Sequence, residues 1–287
     1  MTTVVIGAGG FLGSALHKHF STNEGPAIAI SYRPDTSETF FAEFTAALVS
    51  QRPSVVLNAG ASQTGKDDPT ALAELVASNV HLPAALGSLI LAHSPQTRLI
   101  NFGTSWQIGE HGESSPFNAY AASKAAAEPF LDHFALSGLK AATLRLYDTY
   151  GPGDHRNKVV NLIADAINSI SPLSMSAGGQ MIDLVHIDDV LSAVDVTLEL
   201  LAREPNGVHR VYAVRSGKPV RITDVLALLI TASGLENADF IKPGVYPYRK
   251  RERFSLFSDT PTPPGWSPRV ELVDGLSAML VARRPTS

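Results

Sequence analysis

The chain has 287 residues, a net charge of −4 and no cysteine. Its 44% hydrophobic and 17% charged residues are typical of a globular protein, and the length accommodates one large domain or two moderate ones. The lack of cysteine excludes disulfides, thiol nucleophiles, iron–sulfur clusters and thiolate-bound zinc, and the acidic balance provides no basic field for nucleic acid or an anionic membrane.

Short β-branched runs alternate with helical patterns through the first half of the chain. The predicted strands are apolar on both faces, as strands between two helical layers must be, and cover 3–7, 27–31, 54–59, 98–102 and 141–147. Helical patterns lie near 11–20, 37–50, 70–93 and 118–137. This alternation predicts a doubly wound parallel sheet of the α/β Rossmann class.

The alternation loosens after Tyr150. Helices are predicted at 156–170, 222–233 and 270–282, a strand at 208–214, and an apolar run at 182–187 that leads into a helix capped by Asp188 or Asp189. Six prolines between Lys242 and Arg269 predict irregular structure there. We therefore predict a cofactor domain of 1–150 plus about 181–215, and a smaller, discontinuous substrate lobe of 151–180 and 216–287.

A glycine-rich turn joins the first predicted strand to the first predicted helix. This arrangement brings backbone N–H groups and the positive end of a helix together, where a dinucleotide pyrophosphate can bind. An ordinary tight turn is the alternative, but the position after the first strand favours cofactor binding. The residues assigned to the cofactor path are Gly7, Gly10, Phe11, Leu12 and Gly13, with Asn58, Ala59 and Gly60 at the end of another strand.

The end of the second predicted strand bears on the choice of cofactor. An adenosine ribose with a free 2′-hydroxyl usually meets a carboxylate there, whereas a 2′-phosphate needs a cation. This chain has Ser31 and Arg33, and no acidic residue before Asp35. Arg33 could pair with a 2′-phosphate and Ser31 could hydrogen-bond it, so we favour NADP (NADPH) over NAD. An exposed loop arginine in an NAD-binding protein is the alternative.

Tyr120 and Lys124 form a candidate reactive pair at the start of an alanine-rich helix, because the i, i+4 spacing puts them on one face. A cation about 5 Å from a phenol, in an effective dielectric of about 20, favours phenolate by roughly 3 kcal/mol, or about two pKa units. Tyr120 is therefore a candidate acid–base catalyst. Thr104 or Ser105, which follow a central strand, could hydrogen-bond a substrate oxygen, with a turn or capping role as the alternative.

Together these motifs resemble the extended short-chain dehydrogenase/reductases that act on nucleotide sugars, the NAD-dependent epimerase/dehydratase family. The resemblance includes the glycine loop, the Tyr120/Lys124 pair and the segments 144–154, 183–190 and 265–268. The segment 151–190 looks most like that of the nucleotide-linked 4-keto-6-deoxyhexose reductases. Counting back from Gly109, the resemblance implies that Thr104 matches the family's catalytic Ser/Thr, with Ser105 as the fallback.

The resemblance also implies a set of substrate contacts, with departures from the family pattern. The sugar-nucleotide 4,6-dehydratases carry an Asp-Glu pair where this chain has Ser105 and Trp106, so we do not expect dehydration. Ile182 replaces an arginine that holds the substrate diphosphate in many relatives, and Asp148 replaces a frequent asparagine. The basic segment 248–253 could supply the phosphate clamp, unless it is only a solvated loop. The expected substrate contacts are Thr104, Ser105, Asp148, Asn157, Arg249 and Arg251.

These observations predict NADPH-dependent reduction of a keto group on a nucleotide-activated 4-keto-6-deoxy sugar, with Tyr120 as proton donor. A 4-epimerase with bound NAD is less favoured, because Arg33 suggests NADP and the chain looks shorter than the epimerases it resembles. A non-catalytic cofactor sensor is a further alternative, which the intact Tyr120/Lys124 pair opposes.

Partners and location follow from the same observations. We expect a homodimer. The helices near 70–93 and 118–137 could form the interface that is usual in this family, although their apolar pattern is equally that of core helices. We expect no nucleic acid, no membrane and, because the histidines are scattered, no metal. No basic leader precedes the first strand and no uninterrupted apolar run reaches about 18 residues, so we expect a cytoplasmic protein.

Overall fold

The computed structural model describes residues 2–256 and 259–284. Strands and helices alternate through the first half of the chain, as predicted. In chain order these elements are β1 (Thr3–Ile6), α1 (Phe11–Asn23), β2 (Ala27–Ile30), α2 (Ser37–Gln51), β3 (Val55–Asn58), α3 (Pro69–Val76), α4 (Leu82–His93), β4 (Arg98–Thr104), α5 (Ala119–Ala135) and β5 (Lys140–Leu146). Short helical turns cover Pro34–Thr36, Ala77–His81 and Ser105–Gln107.

The second half contains shorter strands. Its elements are β6 (Asp148–Tyr150), α6 (Val159–Ser169), β7 (Leu173–Ser174), β8 (Met181–Ile182), β9 (Leu184–His186), α7 (Ile187–Arg203), β10 (Val208–Val214), β11 (Val220–Arg221), α8 (Ile222–Ser233), β12 (Ile241–Lys242) and α9 (Leu272–Ala282). Among the described residues between β12 and α9 there is no helix or strand, in agreement with the irregular structure predicted from the prolines.

The central sheet has six parallel strands in the order β10-β5-β4-β3-β1-β2. Strands β1 and β3 are buried over their whole length, because helices cover both faces of the sheet and leave no side for polar residues. The reversal of strand order at β1 and β3 is the feature that places ligands of doubly wound sheets at the carboxyl ends of these strands. The predicted α/β Rossmann fold is confirmed.

Two asparagines pair inside this sheet. Asn58 of β3 and Asn101 of β4 are register partners, each about 1% exposed, and Asn58 Nδ2 donates to Asn101 Oδ1 at 2.9 Å. The remaining amide atoms, Asn58 Oδ1 and Asn101 Nδ2, are buried without a hydrogen-bond partner. The Asn58 side chain is thus engaged within the sheet, and the place of residue 58 on the cofactor path stays a prediction.

The single helix predicted near 70–93 is divided. A π-helical segment, Ala77–His81, separates α3 from α4, and Pro83, which has no backbone N–H to continue the ladder, lies in the first turn of α4. By length and composition alone, Pro69–His93 could also cross a membrane. Its residues Leu82, Leu86 and Ile90 are fully buried in the core against the central sheet, and a core helix has the same length and composition.

The predicted cap of α7 is wrong. The helix begins at Ile187, so both Asp188 and Asp189 lie in its first turn rather than before it. The carboxylate of Asp189 instead accepts the backbone N–H groups of Arg269 at 2.8 Å and Val270 at 3.2 Å. Asp189 therefore holds the segment that precedes α9.

The chain forms two compact units, whose bounds differ from the predicted domains. Among the described residues, the first unit takes those within 1–146, 191–214 and 258–266, and the second takes the rest. Residues 181–190 belong to the second unit because β9 pairs with β6 and β8 pairs with β11. Residues 259–266 belong to the first, where Ala213 N–H donates to Pro261 O and the Trp266 indole to Ser192 Oγ. Each unit has its own apolar core.

Candidate active site

The glycine loop between β1 and α1 is shaped by close backbone packing. A Cβ at Gly7, whose φ is +82°, would lie 2.7 Å from the backbone of Ala59 and Gly60. A Cβ at Gly13 would lie 2.0 Å from Gly7 O. Gly10, the N-cap residue of α1, is exposed and has no side chain to cover the helix end. The predicted loop residues thus form a backbone cradle at the positive end of α1, which fits a dinucleotide pyrophosphate.

Ser31 and Arg33 lie directly after β2 and are both exposed. The N–H of Gly7 donates to Ile30 O at 3.4 Å, so this segment begins beside the glycine loop. The Tyr32 hydroxyl, between them, donates to Ala77 O at 3.2 Å. This contact fixes the backbone from which Ser31 and Arg33 project.

Tyr120 and Lys124 lie in the first two turns of α5. Asn118 caps this helix, its side chain accepting the N–H of Ala121 at 2.9 Å. Lys124 is only 4% exposed, and within the described chain its Nζ has no hydrogen-bond or ion-pair partner. Burial lowers the pKa of Lys124 to about 8. The fold therefore holds a mostly protonated, unpaired ammonium one helical turn from a phenol, an arrangement that costs stability until a ligand contacts it.

Asn79, in the π-helical segment, is a residue of the site that the sequence analysis missed. It is 1% exposed, and its Nδ2 donates to Ser62 O and to Ser123 Oγ, both at 2.9 Å. Ser123 Oγ in turn donates to Tyr120 O at 2.8 Å. Asn79 thus holds the turn that carries Tyr120. A polar residue inside the apolar helical pattern near 70–93 was the only signal for it.

Thr104 is the last residue of β4 and is partly exposed, whereas Ser105 is buried. Thr104 Oγ1 accepts the N–H of Trp106 at 3.3 Å and so caps the short helix Ser105–Gln107. The capping role that was the alternative for Thr104 is therefore present. A hydroxyl that accepts one hydrogen bond keeps its own proton to donate, so the cap does not exclude a contact with a substrate oxygen.

The other expected substrate contacts belong to the second unit. Asp148 is half-buried, and its carboxylate lies 3.8 Å from Lys158 Nζ. Burial raises the pKa of Asp148, while Lys158 opposes this rise and Asp183 adds to it. Arg253 also acts on Asp148 electrostatically, which brings one end of the basic segment 248–253 into this cluster. The remaining expected contacts, Asn157, Arg249 and Arg251, are exposed.

The glycine cradle on a Rossmann sheet and the Tyr–Lys pair on a helix define a dinucleotide-dependent oxidoreductase. A family model described as the NAD dependent epimerase/dehydratase family matches residues 3–213, and the chain belongs to this family. The predicted resemblance is thus confirmed, as is the prediction of an NAD(P)-dependent enzyme.

Individual relatives agree with this assignment. The chain is 27% identical over 208 residues to CDP-abequose synthase of Yersinia pseudotuberculosis, covering 68% of this chain and 72% of that protein. Among solved structures, MoeE5 in complex with UDP-glucose and NAD has a TM-score of 0.83 at 21% identity, with 99% of each chain covered. UDP-glucose 4-epimerase of Thermotoga maritima, solved with UDP-glucose, also has a TM-score of 0.83 at 21% identity, with 98% of each chain covered.

Proposed function

We propose that this enzyme catalyses the NADPH-dependent reduction of a keto group on a nucleotide-activated 4-keto-6-deoxy sugar. The observation that carries the proposal is the buried, unpaired ammonium of Lys124, one turn from Tyr120 on α5. Such a cation needs polar ligand groups to offset its burial, and the hydroxyls of a nicotinamide ribose are suitable partners. The similarity to a CDP-abequose synthase supports a nucleotide-sugar substrate.

The chain's own groups would divide the chemistry as follows. The glycine cradle of Gly7, Gly10 and Gly13 would hold the nicotinamide cofactor, which would supply the hydride for the keto carbon. Thr104 donates a hydrogen bond to the carbonyl oxygen and stabilises the charge that develops on it. Tyr120 donates its phenolic proton to the resulting alkoxide, which leaves a hydroxyl on the sugar and a phenolate on the enzyme. The ammonium of Lys124 stabilises that phenolate until a solvent proton replaces the one transferred.

The two units would then have different ligands. The first unit, with the glycine cradle and the Tyr120–Lys124 pair, would be the cofactor-binding domain, and the second would be the substrate lobe. In the second unit, Lys158 and Arg253 stand beside Asp148 and could contact a diphosphate in place of the arginine that Ile182 replaces. Asn157, Arg249 and Arg251 are the other proposed substrate contacts. We also propose a cytoplasmic location, because the nicotinamide cofactor and a nucleotide sugar are both water-soluble.

NADP rather than NAD is the proposed cofactor. The exposed residues Ser31 and Arg33 follow β2, and Asp35 is the first acidic residue after that strand. A hydroxyl donor and a guanidinium are suited to a 2′-phosphate, whereas a free ribose 2′-hydroxyl is usually met by a carboxylate. The similar solved structures named above that contain a cofactor contain NAD, so the choice depends on these two side chains.

The test is NADPH oxidation by purified protein with CDP-, dTDP-, GDP- and UDP-linked 4-keto-6-deoxyhexoses. We expect turnover of at least one of them, and loss of at least 100-fold in kcat for Tyr120→Phe with an unchanged Kd for NADPH. An enzyme that binds NADPH but turns over none of the four would refute the reductase. Conversion of a sugar nucleotide without net cofactor consumption would identify a 4-epimerase instead.

We also propose that the enzyme is a homodimer. Leu72 and Val76 are exposed on one face of α3, and Phe130 is exposed on α5, which packs against α3. Large apolar side chains exposed on adjacent helices are typical of a surface that another chain covers. The same two helical regions were predicted from the sequence as the interface.

A further inference from the structure

Gln107 connects two parts of the candidate active site through its side-chain amide. It is 2% exposed and lies at the end of the short helix that follows β4. Its Oε1 accepts the backbone N–H of Thr104 at 2.8 Å, and its Nε2 donates to Glu128 Oε1 at 2.8 Å. One side chain therefore bridges the end of β4 and the helix α5.

Glu128 is well placed to act as the fixed end of this bridge. It lies on α5, one turn beyond Lys124, and is mostly buried. Arg145 of β5 donates two hydrogen bonds to this carboxylate, from Nε to Oε1 at 2.9 Å and from Nη2 to Oε2 at 2.5 Å. Arg145 Nη1 also donates to Thr260 Oγ1 at 3.3 Å. A two-pronged arginine–carboxylate pair restricts the carboxylate in position and in angle.

The side-chain amide of Gln107 completes this network. Thr104 N–H needs an acceptor and the Glu128 carboxylate needs a donor, and glutamine offers both at the end of one side chain. Gly103 leaves room for this amide, because a Cβ at position 103 would lie 2.5 Å from Gln107 Oε1. The strand therefore leaves the space in which the amide oxygen sits.

We propose that Gln107 is a positioning residue that sets the distance from Thr104 to the Tyr120–Lys124 pair. The inference rests on the proposed function, in which Thr104 and Tyr120 act on the same oxygen of the substrate. Gln107 ties the backbone of Thr104 to α5 through Glu128, and α5 carries Tyr120 and Lys124. Displacing reacting groups by about 1 Å can lower a rate about 100-fold, so a bridge of this kind affects catalysis without contacting substrate.

The proposal is tested by breaking the bridge and then rebuilding it with the amide and the carboxylate exchanged between positions 107 and 128. Gln107→Leu removes both bonds, and Gln107→Glu brings two carboxylates together. The double variant Gln107→Glu/Glu128→Gln again gives Thr104 N–H an acceptor and joins positions 107 and 128 by an amide–carboxylate bond, although Arg145 loses one of its two bonds to position 128. We expect kcat to fall about 10- to 100-fold in both single variants at position 107, with KM and the NADPH Kd within threefold of wild type. In the double variant, we expect kcat to recover at least half of this loss on a logarithmic scale.

Thr143→Val is the matched control. Thr143 Oγ1 and His209 Nε2 are 2.9 Å apart, and His209 Nδ1 lies 2.7 Å from Asp132 Oδ1, also on α5. This variant removes the strand-to-strand contact of Thr143 with His209, the residue that joins the sheet to the same helix, without touching Thr104. We expect it to lower the melting temperature and to leave kcat within twofold. If Gln107→Leu fails to fold, Gly103→Ala displaces the amide oxygen with a smaller change and has the same expected kinetic signature.

The outcomes separate this proposal from the proposed function. Wild-type protein that turns over no keto sugar refutes the proposed function, and the bridge is then tested by hydrogen exchange, which Gln107→Leu should accelerate at the Thr104 amide. An active wild type with a folded Gln107→Leu variant of unchanged kcat overturns the positioning role. The same conclusion follows if kcat falls in step with melting temperature in Gln107→Leu and Thr143→Val alike.

Discussion

Burial of the charged Lys124 side chain lowers the stability of the folded protein. The ordinary Lys124 pKa of 10.5 falls to about 8 because the ammonium is buried, so below pH 8 the folded protein holds an unpaired buried cation. A shift of this size corresponds to a penalty on the order of 3 kcal/mol. An enzyme retains such a residue when ligand binding uses the charge. Stability and function are then opposed at this position.

Lys124→Met should therefore stabilise the protein at neutral pH while abolishing activity. Between about pH 8 and pH 10.5 the unfolded wild type binds more protons than the folded one, so its stability rises with pH, whereas the variant lacks this rise. We expect the variant to be more stable by about 1–3 kcal/mol at pH 7, and the gap to narrow at pH 9.5. Urea unfolding at both pH values measures this, with exposed Lys18→Met as control. A pH-independent loss of stability would contradict it.

Arg33 is the residue whose removal tests the choice of cofactor. A charge-assisted contact with the 2′-phosphate contributes about 1.5–3 kcal/mol, so Arg33→Ala should raise the NADPH Kd about 10- to 100-fold and leave the NADH Kd unchanged. Arg203→Ala, at an exposed arginine that ends α7, makes the same change in net charge and should alter neither constant. Equal weakening of both cofactors by Arg33→Ala would show that the 2′-phosphate does not contact this side chain.

At the scale of elements, the paired asparagines of β3 and β4 couple two central strands. Because Asn58 and Asn101 share one hydrogen bond, replacing either by leucine leaves the other amide buried with even fewer partners. We expect each single variant to lose about 1–3 kcal/mol and the double leucine variant to recover most of it. A double-mutant cycle in urea measures the coupling, and additive losses would contradict it.

The same variants show whether Asn58 also lines the cofactor path, as the sequence predicted. If its role is confined to the sheet, Asn58→Leu and Asn101→Leu should leave the NADPH Kd equally unchanged. A rise in the NADPH Kd for Asn58→Leu alone would show that the Asn58 side chain contacts the cofactor. Thermal shifts with saturating NADPH give an independent measure, because a ligand that binds only the folded state raises its stability by mass action.

Local patterns explain which elements could be predicted. Strands apolar on both faces and a glycine turn before a helix are signals contained in a few consecutive residues, as is the spacing of Tyr120 and Lys124. The end of β4 was missed because Gly103 resembles a strand terminator, yet both Gly103 and Thr104 pair with β5. The roles of Asn79 and Gln107 could not be predicted from local patterns, because their partners, Ser123 and Glu128, are 44 and 21 residues away.

The division into units has the same explanation at the scale of the whole molecule. The pairing of β6 with β9 joins residues more than 30 positions apart and takes 181–190 out of the first unit. No composition change marks that boundary, since polar and apolar residues are mixed both in Lys140–Leu146 and in Asp148–Tyr150. The sequence therefore predicted that the second lobe is discontinuous, but it could not predict the residues at which the chain crosses between the units.

The proposed dimer makes a prediction about the assembled molecule. The exposed side chains of Leu72, Val76 and Phe130 are large and apolar, and covering them would remove apolar surface from water at about 25 cal/mol per Å². A charge at the centre of such an interface opposes association because it would be buried without a partner. Val76→Glu and Phe130→Glu should each convert the dimer to a monomer in light scattering at about 10 μM. Val49→Glu, at an equally exposed position on α2, should leave the dimer intact, and a monomeric wild type would refute the interface.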